Sequence, residues 1–369
     1  MKKLLSLLLA LAMVIALVAC GSNNSANSSP SSGGAPSSGE SSGEPSSDET
    51  YHFILNLHKG EMACVQEKAY MDAVSEATGG RVTFEVYYAN SLLKPAEVPE
   101  GLATGIIDMG VINAAEYPSF MPLASYVLTM PFSGIQGMDY YTITDQLLAE
   151  YPEIEAEMLN GDMKLLTYHY ASPTNLFFAK DVDIHAPADM QGKQVIATAA
   201  SVQTLISEAG GAPVSAGPPD FYSYLERAVA DGIVNHWGQV FNSALYEVCD
   251  TAVIFGADAS AGISRDLNMM VMSPAKWDSL PADIQEAFIS CADVYKDAAN
   301  KYMDELTTNG SNALTDQGAK FIYLTEDEIA VWQDAFAAIR DGLLADLDAQ
   351  GTKATEVYNR MVEINEGLN

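Results

Sequence analysis

Positive charge is the property that this 369-residue sequence has least of. It carries 18 Lys and Arg against 49 Asp and Glu, a formal net charge of −31 at pH 7. A chain of that charge repels phosphate backbones and anionic lipid headgroups, and it favours solubility. Nucleic acid is therefore excluded as a partner.

Cysteine and histidine are also scarce. Apart from Cys20 near the N-terminus, the cysteines are Cys64, Cys249 and Cys291, an odd number at wide spacings. This pattern predicts buried free thiols, with one bridged pair as the alternative. The histidines occur singly, with no pair at the spacing of a helical metal site, so neither a metal nor a cofactor is predicted. They are His52, His58, His169, His185 and His236.

Catalytic motifs are missing as well. Residues 258–262 read DASAG, with Asp where a nucleophile elbow begins with Gly, and no acid and histidine partners can be identified. Gly210-Gly211 lacks the Lys and Ser/Thr of a phosphate-binding loop. The sequence predicts no catalytic residues and no enzyme.

Only one long apolar run is present, at the start of the chain. Leu4 to Ala19 follows two lysines and is too short to span a bilayer, so residues 1–20 are predicted to be a signal peptide. The ending Leu17-Val18-Ala19-Cys20 resembles a bacterial lipobox, which implies that Cys20 carries a lipid. The alternative is an ordinary secretory signal with an incidental cysteine.

A tether follows the signal peptide. Residues 21–49 are nearly all Ser, Gly, Pro, Asn and Glu, with too little apolar surface to fold. The folded part is expected to span residues 50–369, a length typical of two lobes. The predicted attachment to the membrane is by lipid alone.

An α/β architecture is predicted from residues 187–239. Short β-type runs at 194–198, 212–215 and 233–236 alternate with helical runs at 201–209 and 219–230. Such alternation is typical of βαβ units around a parallel sheet. Ligands of open α/β sheets bind beyond the carboxyl ends of the strands, here residues 198–201 and 235–237.

The remaining pattern divides into two lobes. Lobe 1 is assigned about 50–140 plus about 251–280, and lobe 2 about 141–250 plus the C-terminal helices. Further elements are expected as follows: strands at 51–57, 81–88, 106–112, 163–170, 175–180, 251–255 and 267–273; helices at 61–77, 145–159, 279–308 and 326–348, the last behind a capping box of Thr325 and Glu328.

An ordered set of motifs resembles the solute-binding proteins of TRAP (tripartite ATP-independent periplasmic) transporters, the dicarboxylate-binding-protein family. Residues 187–195 resemble the family's P, D-(L/M)-x-G-x-(K/Q)-(V/I) segment, and Tyr222, Leu225 and 230–232 resemble its Y-x-x-L and V-D-G. Other matches are Thr78-Gly79-Gly80-Arg81-Val82, 105–110, Met130-Pro131-Phe132 and 277–281.

The resemblance implies a type II, Venus-flytrap fold of two lobes with a hinge and a long C-terminal helix bracing both. It implies a receptor on the outer face of a bacterial membrane that captures a small molecule between the lobes and delivers it to TRAP membrane subunits. A ligand sensor feeding a membrane signalling receptor is the alternative, and a secreted enzyme on the same scaffold is a third hypothesis.

The binding residues are predicted at strand ends. Asn235, His236 and Trp237 stand where the family has an Asn-containing loop in its cleft, although Trp237 could instead be a packing residue of the hinge. The other candidates, each with a structural role as its alternative, are Thr198, Asn113, Tyr168, His58, Asn175, Gln203 and Phe241.

One position departs from the family pattern. Where most relatives have an arginine that binds the ligand carboxylate through two hydrogen bonds, this sequence has Ile196. Losing such a charge partner typically costs about 2 to 5 kcal/mol. We therefore expect a neutral or aromatic-bearing ligand rather than a simple dicarboxylate, with Arg265 as the reserve cation.

Overall fold

A computed structural model describes residues 49–137 and 139–368. The predicted signal peptide, the lipid-attachment residue Cys20 and the tether up to residue 48 lie outside the described residues. Within the described ranges, no helix is both long enough and apolar enough to cross a membrane.

Strands and helices alternate along most of the chain. The strands are β1 (Tyr51–Asn56), β2 (Val82–Tyr87), β3 (Met109–Asn113), β4 (Lys164–Tyr170), β5 (Thr174–Phe178), β6 (Gln194–Ile196), β7 (Ala212–Val214), β8 (Gly232–His236), β9 (Thr251–Ile254), β10 (Leu267–Met272) and β11 (Lys320–Tyr323). The α-helices are α1 (Val65–Ala77), α2 (Val98–Thr104), α3 (Asp139–Glu150), α4 (Pro152–Asn160), α5 (Ala200–Glu208), α6 (Phe221–Glu226), α7 (Trp237–Asn242), α8 (Pro274–Asp278), α9 (Ala282–Ser290), α10 (Ala292–Asp316), α11 (Glu326–Ala349) and α12 (Ala354–Leu368).

Two mixed sheets organise the fold. The first has the order β2-β1-β3-β10-β4, in which β10 runs antiparallel to β3 and β4. The second has the order β11-β9-β5-β8-β6-β7, in which β5 runs antiparallel to β9 and β8. The α/β class and the two-lobe fold expected from the sequence are thus confirmed.

Two of the connections between the sheets, residues 171–173 and 255–266, lie side by side; the third runs through α8, α9 and α10 to β11. Ala171 N donates to Asp266 O (2.8 Å), Thr174 N to Ser264 O (3.0 Å), and Ile263 N to the Thr174 carbonyl (2.9 Å). The first two connections therefore form a short antiparallel ribbon at the junction of the two lobes.

Strand pairing corrects the expected lobe boundaries. β4 was expected in lobe 2, but it pairs with β10 in the first sheet. β9 was expected in lobe 1, but it pairs with β5 and β11 in the second. The partners are distant in sequence, and the local pattern of a strand does not reveal which distant strand it will meet.

Some helix boundaries also differ from expectation. The helix expected over 145–159 is two helices, because Pro152 cannot donate the hydrogen bond that would continue α3 and instead begins α4. The helix expected over 219–230 ends at Glu226, since Ala228 is left-handed (φ 53°). The region 279–308 comprises α9 and the first part of α10, and α12 had no individual counterpart among the sequence predictions.

Helix α10 contacts both lobes. It packs on α1 and β4 of the first sheet and on α7, which follows β8 of the second. One hydrophobic cluster also joins the sheets, including Ile112 and Met269 from the first and Phe178 and Val253 from the second. Each sheet has a further cluster of its own. Cys64, Cys249 and Cys291 are buried and free, as expected from their spacing.

Removal of the α11 cap should cost measurable stability. Thr325 Oγ1 accepts from Glu328 N (3.3 Å), and Glu328 Oε2 accepts from Thr325 N (2.7 Å), the capping box that the sequence predicted. Thr325→Ala is expected to lower the free energy of unfolding by about 0.5–2 kcal/mol in urea denaturation. Thr204→Ala, at an exposed position of α5, is the control and should stay within about 0.5 kcal/mol of wild type; equal loss in both variants would contradict the prediction.

Candidate ligand-binding cleft

The candidate cleft is assigned to strand ends of the two sheets. On the first sheet, Lys59 follows β1 and Asn113 ends β3; on the second, Thr198 follows β6 and His236 ends β8. Burial lowers the pKa of His236, Asp266 of the first lobe opposes that shift, and Lys59 adds to it. The imidazole of the second lobe is thus within electrostatic reach of both first-lobe charges.

His236 presents one defined hydrogen-bond donor. Its Nδ1 accepts from Gln239 N (3.2 Å) as the N-cap of α7 and lies 3.3 Å from Ser172 Oγ, which itself accepts from Gly238 N (2.8 Å). Because burial lowers the pKa of His236, the ring is neutral, and an accepting Nδ1 assigns the proton to Nε2. No described residue accepts a hydrogen bond from Nε2.

Asn235 and Thr198 lie close to this donor in the fold. Asn235 Oδ1 accepts from the backbone N–H of His236 (2.9 Å), which leaves its Nδ2 without an acceptor among the described residues. Thr198 is exposed immediately after β6. Both therefore keep polar groups that a ligand could use.

Two predicted residues lie on the first lobe's side of the cleft. Asn113 Oδ1 accepts from Ala115 N (2.9 Å), so only its Nδ2 is left to donate. His58 Nδ1 donates to the Val111 carbonyl (3.3 Å), and burial, followed by the charge of Lys59, lowers its pKa to about 3. A neutral His58 with a donating Nδ1 leaves Nε2 as a hydrogen-bond acceptor.

Trp237 is a packing residue, which is the alternative stated for it above. Its side chain is 0% exposed, edge-on to Phe177 (centroids 4.9 Å apart) and stacked on Phe321 (6.4 Å). Its Nε1 donates to the Ala259 carbonyl in the second connection (2.8 Å). It offers no aromatic face to a ligand.

Tyr168 and Phe241 are also placed away from the strand ends. The Tyr168 hydroxyl donates to Asp145 Oδ1 (2.6 Å), and the Lys296 ammonium lies 4.5 Å from its ring. Phe241 stacks with Tyr246 beside the contact of α7 with α10. The strand position of Tyr168 was predicted, but the helix that contains Phe241 and the directions of both side chains were not.

Asn175 and Gln203 bind backbone groups. The buried Asn175 donates to the Ala261 carbonyl (2.9 Å) and accepts from Phe255 N (3.1 Å), which fixes the second connection. Gln203 Nε2 donates to the Ala197 carbonyl at the end of β6 (2.7 Å). These contacts give both residues structural roles.

Neither position considered for a carboxylate clamp supplies one. Ile196 is 0% exposed in the hydrophobic cluster around Trp237. Arg265 donates to the Ala171 carbonyl (3.2 Å) and the Ser260 carbonyl (3.4 Å), one in each of the two connections that lie side by side. Its guanidinium holds the ribbon together, and burial lowers its pKa.

Sequence reasoning missed a polar cluster next to the cleft. The cluster contains two contacts. Gln66 Nε2 donates to Glu67 Oε1 (3.0 Å), and both side chains are almost fully buried. His169 Nδ1 lies 2.9 Å from the Tyr295 hydroxyl. Gln66 Oε1 and Glu67 Oε2 have no hydrogen-bond partner. Burial raises the pKa of Glu67, and Lys59 opposes the shift. Among these residues, only Lys59 could have been noticed from the sequence, because it lies just after the strand predicted at 51–57.

Comparisons with known proteins agree on one family. The model of the DctP family, "Bacterial extracellular solute-binding protein, family 7", matches residues 64–345. The C4-dicarboxylate-binding periplasmic protein DctP of Vibrio cholerae is 22% identical over 305 residues, which cover 82% of this chain and 87% of that protein.

Solved structures show the same fold. A marine metagenome TRAP solute-binding protein specific for aromatic acid ligands, in complex with 3-hydroxybenzoate, has a TM-score of 0.74 and 18% identity, covering 87% of this chain and 99% of that one. A TRAP periplasmic solute-binding protein of Sulfitobacter sp. NAS-14.1 with bound β-D-galacturonate has a TM-score of 0.71 and 20% identity, covering 85% and 100%.

Replacement of His58 by Gln is expected to flatten the dependence of stability on pH. Between the ordinary pKa of 6.5 and the folded pKa of about 3, the unfolded chain binds a proton that the folded protein does not. The folded state therefore loses up to about 1.4 kcal/mol per pH unit as the pH falls. Urea unfolding of wild type and variant at pH 7, 6 and 5 measures the difference in slope.

His185 supplies a control of opposite sign. Its hydrogen bond with Glu328 Oε1 (2.7 Å) raises its pKa above 6.5. The stability that this hydrogen bond contributes is fully present below the pKa of His185 in the unfolded chain. It is lost as the pH rises through the higher pKa of His185 in the folded protein. His185→Gln should therefore steepen the loss of stability on acidification, and identical slopes in all three proteins would contradict the assignments.

Trp237→Ala should reduce stability strongly. Removing a fully buried indole from between Phe177 and Phe321 is expected to cost about 3–5 kcal/mol in chemical denaturation. Trp277→Ala, at a half-buried position of α8, is the matched control and should cost less. A Trp237→Ala protein as stable as wild type would show that the indole is not a core residue.

Proposed function

The chain belongs to the family 7 bacterial extracellular solute-binding proteins, and we propose that it captures a small organic molecule in the cleft between its two sheets and delivers it to the membrane subunits of a TRAP-type secondary transporter. The family consists of transport receptors rather than enzymes. The observation that carries the proposal is a set of hydrogen-bonding groups at facing strand ends with no protein partner, chiefly His236 Nε2 and Asn235 Nδ2.

The ribbon between the lobes supports capture by closure. Residues 171–174 and 263–266 pair there, and Arg265 and Asn175 bind carbonyl groups of the two connections. Such connections act as hinges in two-lobe binding proteins. A rotation there would bring Asn113 and His58 closer to His236 and Thr198. Closure would exclude water from these groups and strengthen their hydrogen bonds to a ligand.

The ligand is proposed not to be a simple dicarboxylate. The names of the relatives include C4-dicarboxylates, 3-hydroxybenzoate and β-D-galacturonate as ligands of those proteins, so the cleft of each chain has to be judged by its own residues. Here the buried Ile196 cannot bind a carboxylate. The aromatic preference expected from Trp237 loses its basis, because that side chain packs in the core.

Attachment to the membrane is proposed to occur through Cys20. The lipobox-like Leu17-Val18-Ala19-Cys20 and the Ser/Gly/Pro-rich segment after it support a receptor tethered to the outer face of the membrane.

A two-residue change, Ala19→Glu with Cys20→Ser, should abolish labelling of the protein by a fatty-acid analogue in cells.

A ligand screen tests receptor function. Thermal unfolding of the purified protein is measured with sugars, amino acids, nucleosides, aromatic acids and C4–C6 carboxylates. A ligand at about 100 times its Kd should stabilise the fold by roughly 2.7 kcal/mol, a shift of several degrees. Uptake of the ligand that depends on TRAP membrane subunits supports delivery; a response through a signalling receptor without uptake would support the sensor alternative.

His236→Asn is the sharpest variant for that screen. Asn keeps an acceptor for the N–H of Gln239 at the start of α7 but removes the Nε2–H donor. Affinity for the ligand should fall about 10-fold, the typical worth of one buried hydrogen bond. His52→Asn, exposed on β1, is the control, and unchanged affinity in both variants would exclude His236 from the site.

A further inference from the structure

Lys59 is a half-buried cation that forms no ion pair with any described residue. Two other partly buried lysines are paired: Lys276 Nζ lies 3.1 Å from Asp108 Oδ1, and Lys296 Nζ lies 2.8 Å from Asp145 Oδ1. Within the described part of the chain Lys59 forms no ion pair and no side-chain hydrogen bond, although its charge opposes the rise in the pKa of the buried Glu67. Lysine is rarely withdrawn from water without a partner.

Lys59 follows β1 by three residues, at the end of the first sheet where β3 ends in Asn113. Its carbonyl accepts a hydrogen bond from Ala89 N (2.9 Å), just beyond β2. Its charge lowers the pKa of His58 on its own lobe and of His236 on the opposite one, in both cases after the larger effect of burial. The ammonium is therefore within electrostatic reach of both edges of the cleft.

Two carboxylates at the same sheet edge also lack a cation. Asp266 directly precedes β10, and Glu116 follows β3 by three residues. Burial raises the pKa of Glu116, and the negative charge of Asp266 raises it further. The same charge acts on His236, where it counteracts the decrease in pKa that burial causes. Neither side chain forms an ion pair with a described residue. The edge thus carries one unpaired cation and two unpaired carboxylates.

We propose that the ligand is a small zwitterion, an amino acid or related aminocarboxylate, whose carboxylate is bound by Lys59 and whose cationic group is bound by Asp266. The inference rests on the proposed receptor function. Lys59 follows β1 and Asp266 precedes β10 at the same end of the first sheet, and only β3 separates these two strands, whose axes are therefore about 10 Å apart. A small aminocarboxylate with a charge-assisted hydrogen bond of about 2.8 Å at each end can bridge that distance.

The same charges discriminate against other ligand classes. The second carboxylate of a dicarboxylate would meet Asp266 and Glu116, and like charges at a binding interface are repelled. A neutral sugar would leave Lys59 desolvated without a partner. A zwitterion satisfies both signs and adds no net charge to a protein that already carries −31.

Isothermal titration of the purified protein with matched compounds tests the assignment. The panel contains the common L-amino acids and glycine betaine, their deaminated monocarboxylates, their amides without the carboxylate, C4–C6 dicarboxylates and neutral sugars. The variants are Lys59→Met, Lys59→Arg and Asp266→Asn. Lys68→Met, exposed on α1, is the control with the same change of charge.

Lys59→Met should weaken binding of the preferred zwitterion by at least about 30-fold, the effect of removing one partner of a buried charge pair. Lys68→Met should bind like wild type, and Lys59→Arg should lose less than Lys59→Met because it keeps the charge. Asp266→Asn should lower the preference for the amino compound over its deaminated acid. Thermal unfolding of each free variant separates loss of binding from loss of folding.

Three results would overturn the inference. Equal affinity in Lys59→Met and Lys68→Met would exclude Lys59 as the partner of the carboxylate. Binding of dicarboxylates or sugars without any zwitterion would refute the ligand class while leaving receptor function intact. A protein that binds no compound of any class would count against both the inference and the proposed function.

Discussion

The antiparallel ribbon of two connections is the constraint on which the rest of the structure depends. Both connections must lie side by side for Thr174 N to donate to the Ser264 carbonyl and for the Thr174 carbonyl to accept from Ile263 N, so the two sheets share one junction. Arg265 and Asn175 satisfy carbonyls of this ribbon that would otherwise be buried without partners. The side chains most easily mistaken for ligand contacts are therefore needed to align the lobes.

Helix α10 complements the ribbon from outside the cleft. Gly310 permits its close approach to α7, because a Cβ there would lie 3.1 Å from Trp237 Cε3 and from the Trp237 carbonyl oxygen. The burial of Trp237 follows from this contact together with Phe177 and Phe321. Trp237 therefore anchors α7 to the helix that contacts both lobes. His236, at the end of β8, keeps a hydrogen-bond donor for the proposed cleft.

Local patterns predicted most elements and the strand ends at which the cleft is proposed, but not the directions of the side chains there. The capping box of Thr325 and the strand ends at Asn113 and His236 follow from neighbouring residues in the sequence. The sheet of β4, the direction of Tyr168 and the role of Arg265 depend on contacts between segments far apart in the chain. Lys59 was overlooked for the same reason: its importance lies in the partner that it lacks, and a missing partner is visible only in three dimensions.

The electrostatics of the cleft follow from burial acting on histidine. Burial lowers the pKa of His58 and His236, and Lys59 lowers both further, so the two rings stay neutral at physiological pH. One then offers an acceptor at Nε2 and the other a donor at Nε2, because their Nδ1 atoms have opposite roles toward the backbone. In the proposed cleft the positive charge is therefore supplied by Lys59 rather than by the histidines.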